Sequence, residues 1–168
     1  MMKKLILING TMGAGKSTVS QALNKRLRYS VWLDGDWCWM ADPFVVNEDT
    51  KAMVLDNIAY LLNNFLSQKD YEHIIFCWVM DEAAIIDEVI SRIKEPVDLY
   101  TMTLRLKNET LTTHLQQDID TGKRHPSCIA RSLARQEKYE CLDTIKIDID
   151  DKRIEDILDE IEEIIKGE

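Results

Sequence analysis

The segment Gly10-Thr11-Met12-Gly13-Ala14-Gly15-Lys16-Ser17 fits the pattern G-x-x-x-x-G-K-[ST] in full. Each residue type has a chemical reason. The glycines let the backbone approach an anion with no Cβ in the way. Successive amides from Gly13 to Thr18 are then expected to point at phosphate oxygens. The N-terminus of a following helix adds positive partial charge. Lys16 is placed to bridge the outer phosphates, and the Ser17 hydroxyl to ligate Mg²⁺. The expected cradle is Gly10, Thr11, Met12, Gly13, Ala14, Gly15, Lys16, Ser17 and Thr18, and the expected ligand is ATP with magnesium.

Such a loop needs a strand before it and a helix after it. Leu5 to Asn9 is an apolar run that reads as a buried strand, and Val19, Ala22, Leu23 and Leu27 then form a helical stripe. Val31-Trp32-Leu33 predicts a second strand, ending at Asp34. A helix over 48–67 should turn Val54, Ile58, Leu61, Leu62 and Phe65 inward. Ile74 to Val79 predicts a third strand, uniformly apolar as when both faces are covered. A helix over 82–94 with Ile85, Val89 and Ile93 on one side precedes Pro96.

Leu99 to Leu106 is strand four. Helical stretches at 108–120 and 128–140 are hinged at Gly122 and Pro126. Thr144 to Ile149 is strand five, and Ile154, Ile157, Leu158, Ile161 and Ile165 mark a terminal amphipathic helix. Strands alternating with helices predict an α/β fold, a three-layer α/β/α domain around a five-stranded parallel sheet. One domain over 1–168 is expected, with 122–140 as a candidate helical lid. Ligands bind at the carboxyl ends of such strands. Asp34-Gly35-Asp36 falls there, after strand two. Its carboxylates could serve a ligand, or could cap the next helix as an Asx-type turn.

The chain carries a net charge of -9. An acidic surface repels phosphate backbones and anionic lipid heads, so neither nucleic acid nor membrane is expected as a partner. Cys38, Cys77, Cys128 and Cys141 show no C-x-x-C pair and read as buried or half-buried free thiols in a reducing compartment. The N-terminal apolar run stops at Asn9, too soon for a secretory signal. A cytoplasmic protein, monomeric or homodimeric, is expected. Within this acidic chain lies one basic patch: Lys123, Arg124, His125, Arg131, Arg135 and Lys138.

A GTPase should add D-x-x-G and N-K-x-D, and neither occurs. Ile74 to Val79 with Asp81-Glu82 approaches the strand and D-E of an AAA-type ATPase, although the chain looks too short for that class's helical lid domain. A nucleoside monophosphate kinase should place an arginine after strand three, where Cys77-Trp78-Val79-Met80 stands. A nucleoside or nucleotide kinase, or an ATPase without acceptor, remains an alternative. The cradle together with Leu33-Asp34-Gly35-Asp36 resembles the small-molecule P-loop kinases: shikimate kinase, gluconate kinase, adenylylsulfate kinase and chloramphenicol phosphotransferase.

That resemblance implies a phosphotransferase moving the γ-phosphoryl group of ATP to a hydroxyl of a small molecule. It makes Asp34 a Mg²⁺-side carboxylate, and Asp36 the group that orients the acceptor hydroxyl and takes its proton. It makes 122–140 the lid, with Arg124 and then Arg131 closing over ATP. Those relatives tend to carry two arginines on the preceding helix, where this chain has His114 and Asp118.

Trp37, Trp39, Met40 and Phe44 could wall an acceptor pocket or pack a core. Trp78 and Asp81 end strand three on the ligand edge. Asp81 is expected to cap the helix beginning near Glu82 more than to bind a ligand. His73, His114 and His125 lack metal-ligand spacing, and His73 reads as structural.

Overall fold

A computed structural model describes residues 1–167. Five strands form one sheet: β1 (Lys3–Asn9), β2 (Ser30–Asp34), β3 (His73–Cys77), β4 (Val97–Arg105) and β5 (Ile145–Asp148). All pairings are parallel and the order is β2-β3-β1-β4-β5. Six helices connect them: α1 (Lys16–Arg26), α2 (Glu48–Ser67), α3 (Ala83–Ser91), α4 (Asn108–Asp120), α5 (Cys128–Glu140) and α6 (Ile154–Lys166). A single 3-10 turn, Gly35–Cys38, follows β2.

The central strand explains the layering. Successive residues of a strand point to opposite faces. Leu5 and Leu7 therefore enter one core with Ile74 and Phe76, beneath Val54, Ile58 and Leu62 of α2 and Val89 of α3. Ile6 and Ile8 enter the other, against Leu23 of α1, Leu115 of α4 and Ile161 of α6. Leu5 to Ile8 are all fully buried. Each such side chain contributes about 1.5–3 kcal/mol of transfer free energy, so the apolar run makes β1 the anchor of the sheet. The chain crosses from β3 to β4 over the face of β1, through α3, and a crevice is expected at the carboxyl ends of the strands where the order reverses.

The five-stranded parallel α/β/α architecture is as the sequence predicts. Several boundaries and faces differ. Strand β3 stops at Cys77, leaving Trp78 and Val79 outside the sheet at the ligand edge. Helix α3 ends at Ser91, before Ile93. Ile86, not Ile85, is its buried isoleucine, and Leu61 and Phe65 of α2 are only half-buried beside buried Leu66. Val54, Ile58, Leu62 and Val89 are buried as expected, and only the edge of each stripe lies one position round. Cys141 is exposed, unlike buried Cys77 and Cys128. No described helix is long and apolar enough to cross a membrane.

Candidate active site

A cleft of about 740 Å³ opens at the carboxyl end of β1 and β2. Met12 to Thr18, Asp34, Asp36, Trp78, His114 and Arg124 line it, so the cradle, the aspartate pair and one lid arginine meet in one place. Gly15 starts α1 with φ 92°, a left-handed conformation that glycine adopts freely. No side chain caps this helix and its first turn holds no acid. Its leading amides therefore keep their positive partial charge for a ligand.

The Lys16 ammonium donates to the Thr11 carbonyl at 2.9 Å. Burial pushes its pKa down to about 8, although Cys77, Asp36 and Asp34 nearby favour the charged form. An ammonium desolvated in this way is a site built for anions. The Ser17 hydroxyl donates to Asp34 Oδ2 at 2.7 Å, while Asp34 Oδ1 accepts from the Asp36 amide at 3.0 Å. One Asp34 carboxylate oxygen thus fixes the 3-10 turn, as an Asx-type turn does, while the other meets Ser17 in the cleft. Burial and the Asp34 charge raise the Asp36 pKa, opposed by Lys16, Arg124 and the Trp78 indole N–H.

Among the described residues, no cluster of three or more histidine, cysteine or acidic side chains could hold a metal ion. At the cradle itself the Ser17 hydroxyl and the Asp34 carboxylate are already in contact. That sparse set fits Mg²⁺, which keeps several waters and phosphate oxygens and takes only one or two protein ligands.

Arg124 lies in the turn between α4 and α5, and its Nε donates to Asp118 Oδ2 at 2.8 Å. His114 Nδ1 lies 3.0 Å from the Gly13 carbonyl and ties α4 to the cradle. The two positions that depart from the kinase pattern therefore hold the loop and the arginine. Arg131 does not line the cleft. It reaches toward Ser127 Oγ at 3.5 Å and borders a separate pocket of about 40 Å³ with Thr11, Met12 and Arg135.

Asp81 does not cap α3. The capping position is Glu82, with no side-chain cap, and Asp81 instead sits 3.8 Å from both Arg135 and Lys138. His73, read as structural, brings its Nδ1 within 3.1 Å of the Arg28 carbonyl. Trp78 lines the cleft; Trp37 and Trp39 do not, and pair with Trp32 and Phe44 at centroid distances of 4.8 and 4.5 Å.

Three features escaped the sequence. Asn9 is fully buried; its Nδ2 donates to the Met80 carbonyl at 2.7 Å and its Oδ1 accepts from the Met80 amide at 2.8 Å. It thereby fixes the loop that carries Trp78. A polar residue ending an otherwise apolar strand was the available signal. Gly35 is the second: a Cβ there would lie within 3.0 Å of three Trp78 side-chain atoms. The third is the loop after β5, where Ile149 to Lys152 line the cleft and Asp150 accepts from the Lys107 amide at 2.7 Å.

A family model described as an AAA domain matches residues 6–140. The chain belongs to that family. The match spans the cradle, the aspartate pair, α4 and the lid segment with α5, and stops before β5. The AAA-type class, set against the kinases in the sequence because the chain looks too short for its helical lid domain, is thus the matching family, and no further helical domain follows among the described residues. No curated protein matches by sequence.

The solved structures it is similar to include a gluconokinase from Sinorhizobium meliloti, 18% identical, with TM-score 0.68 over 99% of this chain and 97% of that one. A tunicamycin resistance protein from Deinococcus radiodurans is 16% identical, with TM-score 0.73 over 97% and 95%. A shikimate kinase from Bacteroides thetaiotaomicron is 19% identical, with TM-score 0.61 over 99% of each chain. The fold is that of the P-loop small-molecule kinases.

Proposed function

We propose that the protein transfers the γ-phosphoryl group of ATP, with Mg²⁺, to a hydroxyl of a small molecule. The observation that carries this reading is the chain of contacts from Ser17 through Asp34 to Asp36. It sets a carboxylate of raised pKa at the mouth of a phosphate cradle. Phosphoryl transfer asks little covalent chemistry of the protein, which must position the groups and stabilise charge.

Amides of the cradle and Lys16 bind the phosphates. Ser17 and Asp34 would hold Mg²⁺, which when bound neutralises charge on the phosphate oxygens. Arg124, kept in the cleft by Asp118, faces the transferring group. Asp36 orients the acceptor hydroxyl and takes its proton as the new P–O bond forms; the raised pKa makes it a better base than a solvated aspartate. Solved structures of the same fold include enzymes described as gluconokinase and shikimate kinase, and these support the same reaction class.

Membership of the AAA domain family favours a second reading, ATP hydrolysis with no acceptor. Asp36→Asn separates the two. Under the first reading it abolishes transfer and spares ATP binding. Under the second, ADP release is unaltered.

A further inference from the structure

Two sides of the cleft differ in charge. Its cations are Lys16, Arg124 and Lys152. Lys16 belongs to the cradle, Arg124 is held by Asp118, and Lys152 is engaged at 2.7 Å by Glu160. Lys16 and Arg124 reach Asp36 electrostatically, but the first is committed to the cradle and the second to Asp118, so none of the three is a spare cation for the edge formed by the ends of β2 and β3.

At that edge the chain from 29 to 50 contains no lysine or arginine and carries Asp34, Asp36, Asp42, Glu48 and Asp49. Arg135 and Lys138 come near the end of β3, but they flank Asp81 and do not line the cleft. An anionic acceptor would meet carboxylates there and no cation beyond Lys16 and Arg124, which already have partners.

Apolar surface stands where a further, dedicated cation would be needed. Trp78 and Val79 line the cleft beside Asp36, where a receptor for a carboxylate or phosphate would need an arginine. Gly35 leaves the space that the Trp78 ring occupies against the backbone of the aspartate pair. Outward from Asp36 the apolar character continues in Trp37, 53% exposed, and Phe44, 57% exposed. The acidic rim opposes pairing of this face with a second copy of the same chain and suits a neutral or positively charged occupant.

We propose that the acceptor is an uncharged or amine-bearing hydroxyl compound whose apolar face lies on Trp78, and not a carboxylate or phosphate compound. The inference rests on the phosphotransferase reading and narrows it. Trp78 is then a specificity-determining residue: it receives the body of the acceptor while Asp36 meets its hydroxyl.

The test is an acceptor panel with two arms, read by ATP-dependent product formation and by tryptophan fluorescence in the presence of ADP and Mg²⁺. One arm holds polyhydroxy acids and nucleoside monophosphates. The other holds neutral and amine-bearing alcohols with an aromatic ring or alkyl body. Nucleotide binding is measured first, because its failure removes the phosphotransferase reading itself. With nucleotide bound, the apolar arm is expected to quench fluorescence and to be phosphorylated at least about tenfold more efficiently than the acids.

Trp78→Leu should raise KM for the preferred alcohol about tenfold with kcat little altered. Val79→Arg, away from the 3-10 turn, should narrow the gap by admitting acids. Preference for the acid arm overturns the inference and leaves phosphoryl transfer intact, as does silence of the apolar arm in both readouts. A Trp37→Ser variant that changes oligomeric state and leaves both readouts unaltered would assign the outer apolar face to a second copy.

Discussion

The two walls of the cleft are built by different means. On the phosphate side, recognition is carried by backbone: a left-handed glycine, the bare start of α1, one ammonium and one hydroxyl, all within nine consecutive residues. The wall proposed for the acceptor is lined by side chains from separate elements: Asp36 from the turn after β2, and Trp78 from beyond β3, in the loop that Asn9 of β1 holds. Backbone amides read what every nucleoside triphosphate shares. Assembled side chains read what one acceptor has and others lack.

The comparison breaks first at Lys16. Lys16→Ala should lower transfer by on the order of 10²–10³, a typical cost of losing one preorganised charge-stabilising donor, and should weaken ATP binding as well. Asp36→Asn should lower transfer by roughly 10²–10⁴, the range for a general base, with ATP affinity within about twofold of the parent. Steady-state kinetics beside equilibrium nucleotide binding would separate the two walls, and equal losses of ATP affinity in both variants would merge them.

Asp118→Asn should have an intermediate effect. It releases Arg124 from its carboxylate partner, and kcat should fall about tenfold with little change in fold stability, since a partly exposed ion pair contributes at most about 1 kcal/mol. Gly35→Ala should cost about 1–3 kcal/mol of stability by overpacking against Trp78, visible as a lower Tm and altered tryptophan fluorescence.

The smallest effect is a proton. Lys16 has its pKa lowered to about 8 from 10.5 in the ligand-free protein. Between those values the folded chain binds fewer protons than the unfolded one, so this group's contribution to stability rises with pH. Bound phosphate favours the ammonium and reverses the shift. Nucleotide binding at pH 8 should therefore take up about half a proton, read by calorimetry in buffers of different ionisation enthalpy.

The sequence made one wall far more legible than the other. The cradle is contiguous and its residue types are dictated by phosphate chemistry, so a single pattern located it. The order of strands and helices followed from apolar runs, because a parallel sheet buried on both faces leaves no polar alternation to confuse them. Which isoleucine of α3 turns inward was not legible, since Ile85 and Ile86 are adjacent and only packing chooses between them.

The acceptor wall depends on contacts between distant residues. Gly35 looked like part of a motif, and its reason is the ring of Trp78 more than forty positions away in the chain. Asp118 looked like a missing arginine, and its reason is Arg124. Arg124 and Arg131 were both given to the lid by the kinase resemblance. Only the turn that ends α4 brings Arg124 into the cleft, while Arg131 rides on α5 beside another pocket.

Calorimetric titration with ATP and Mg²⁺ tests the central claim most directly. The parent protein and Asp36→Asn should both show saturable binding at one site per chain, and Lys16→Ala should bind far more weakly. A parent protein that takes up no nucleoside triphosphate in the presence of magnesium would contradict the account.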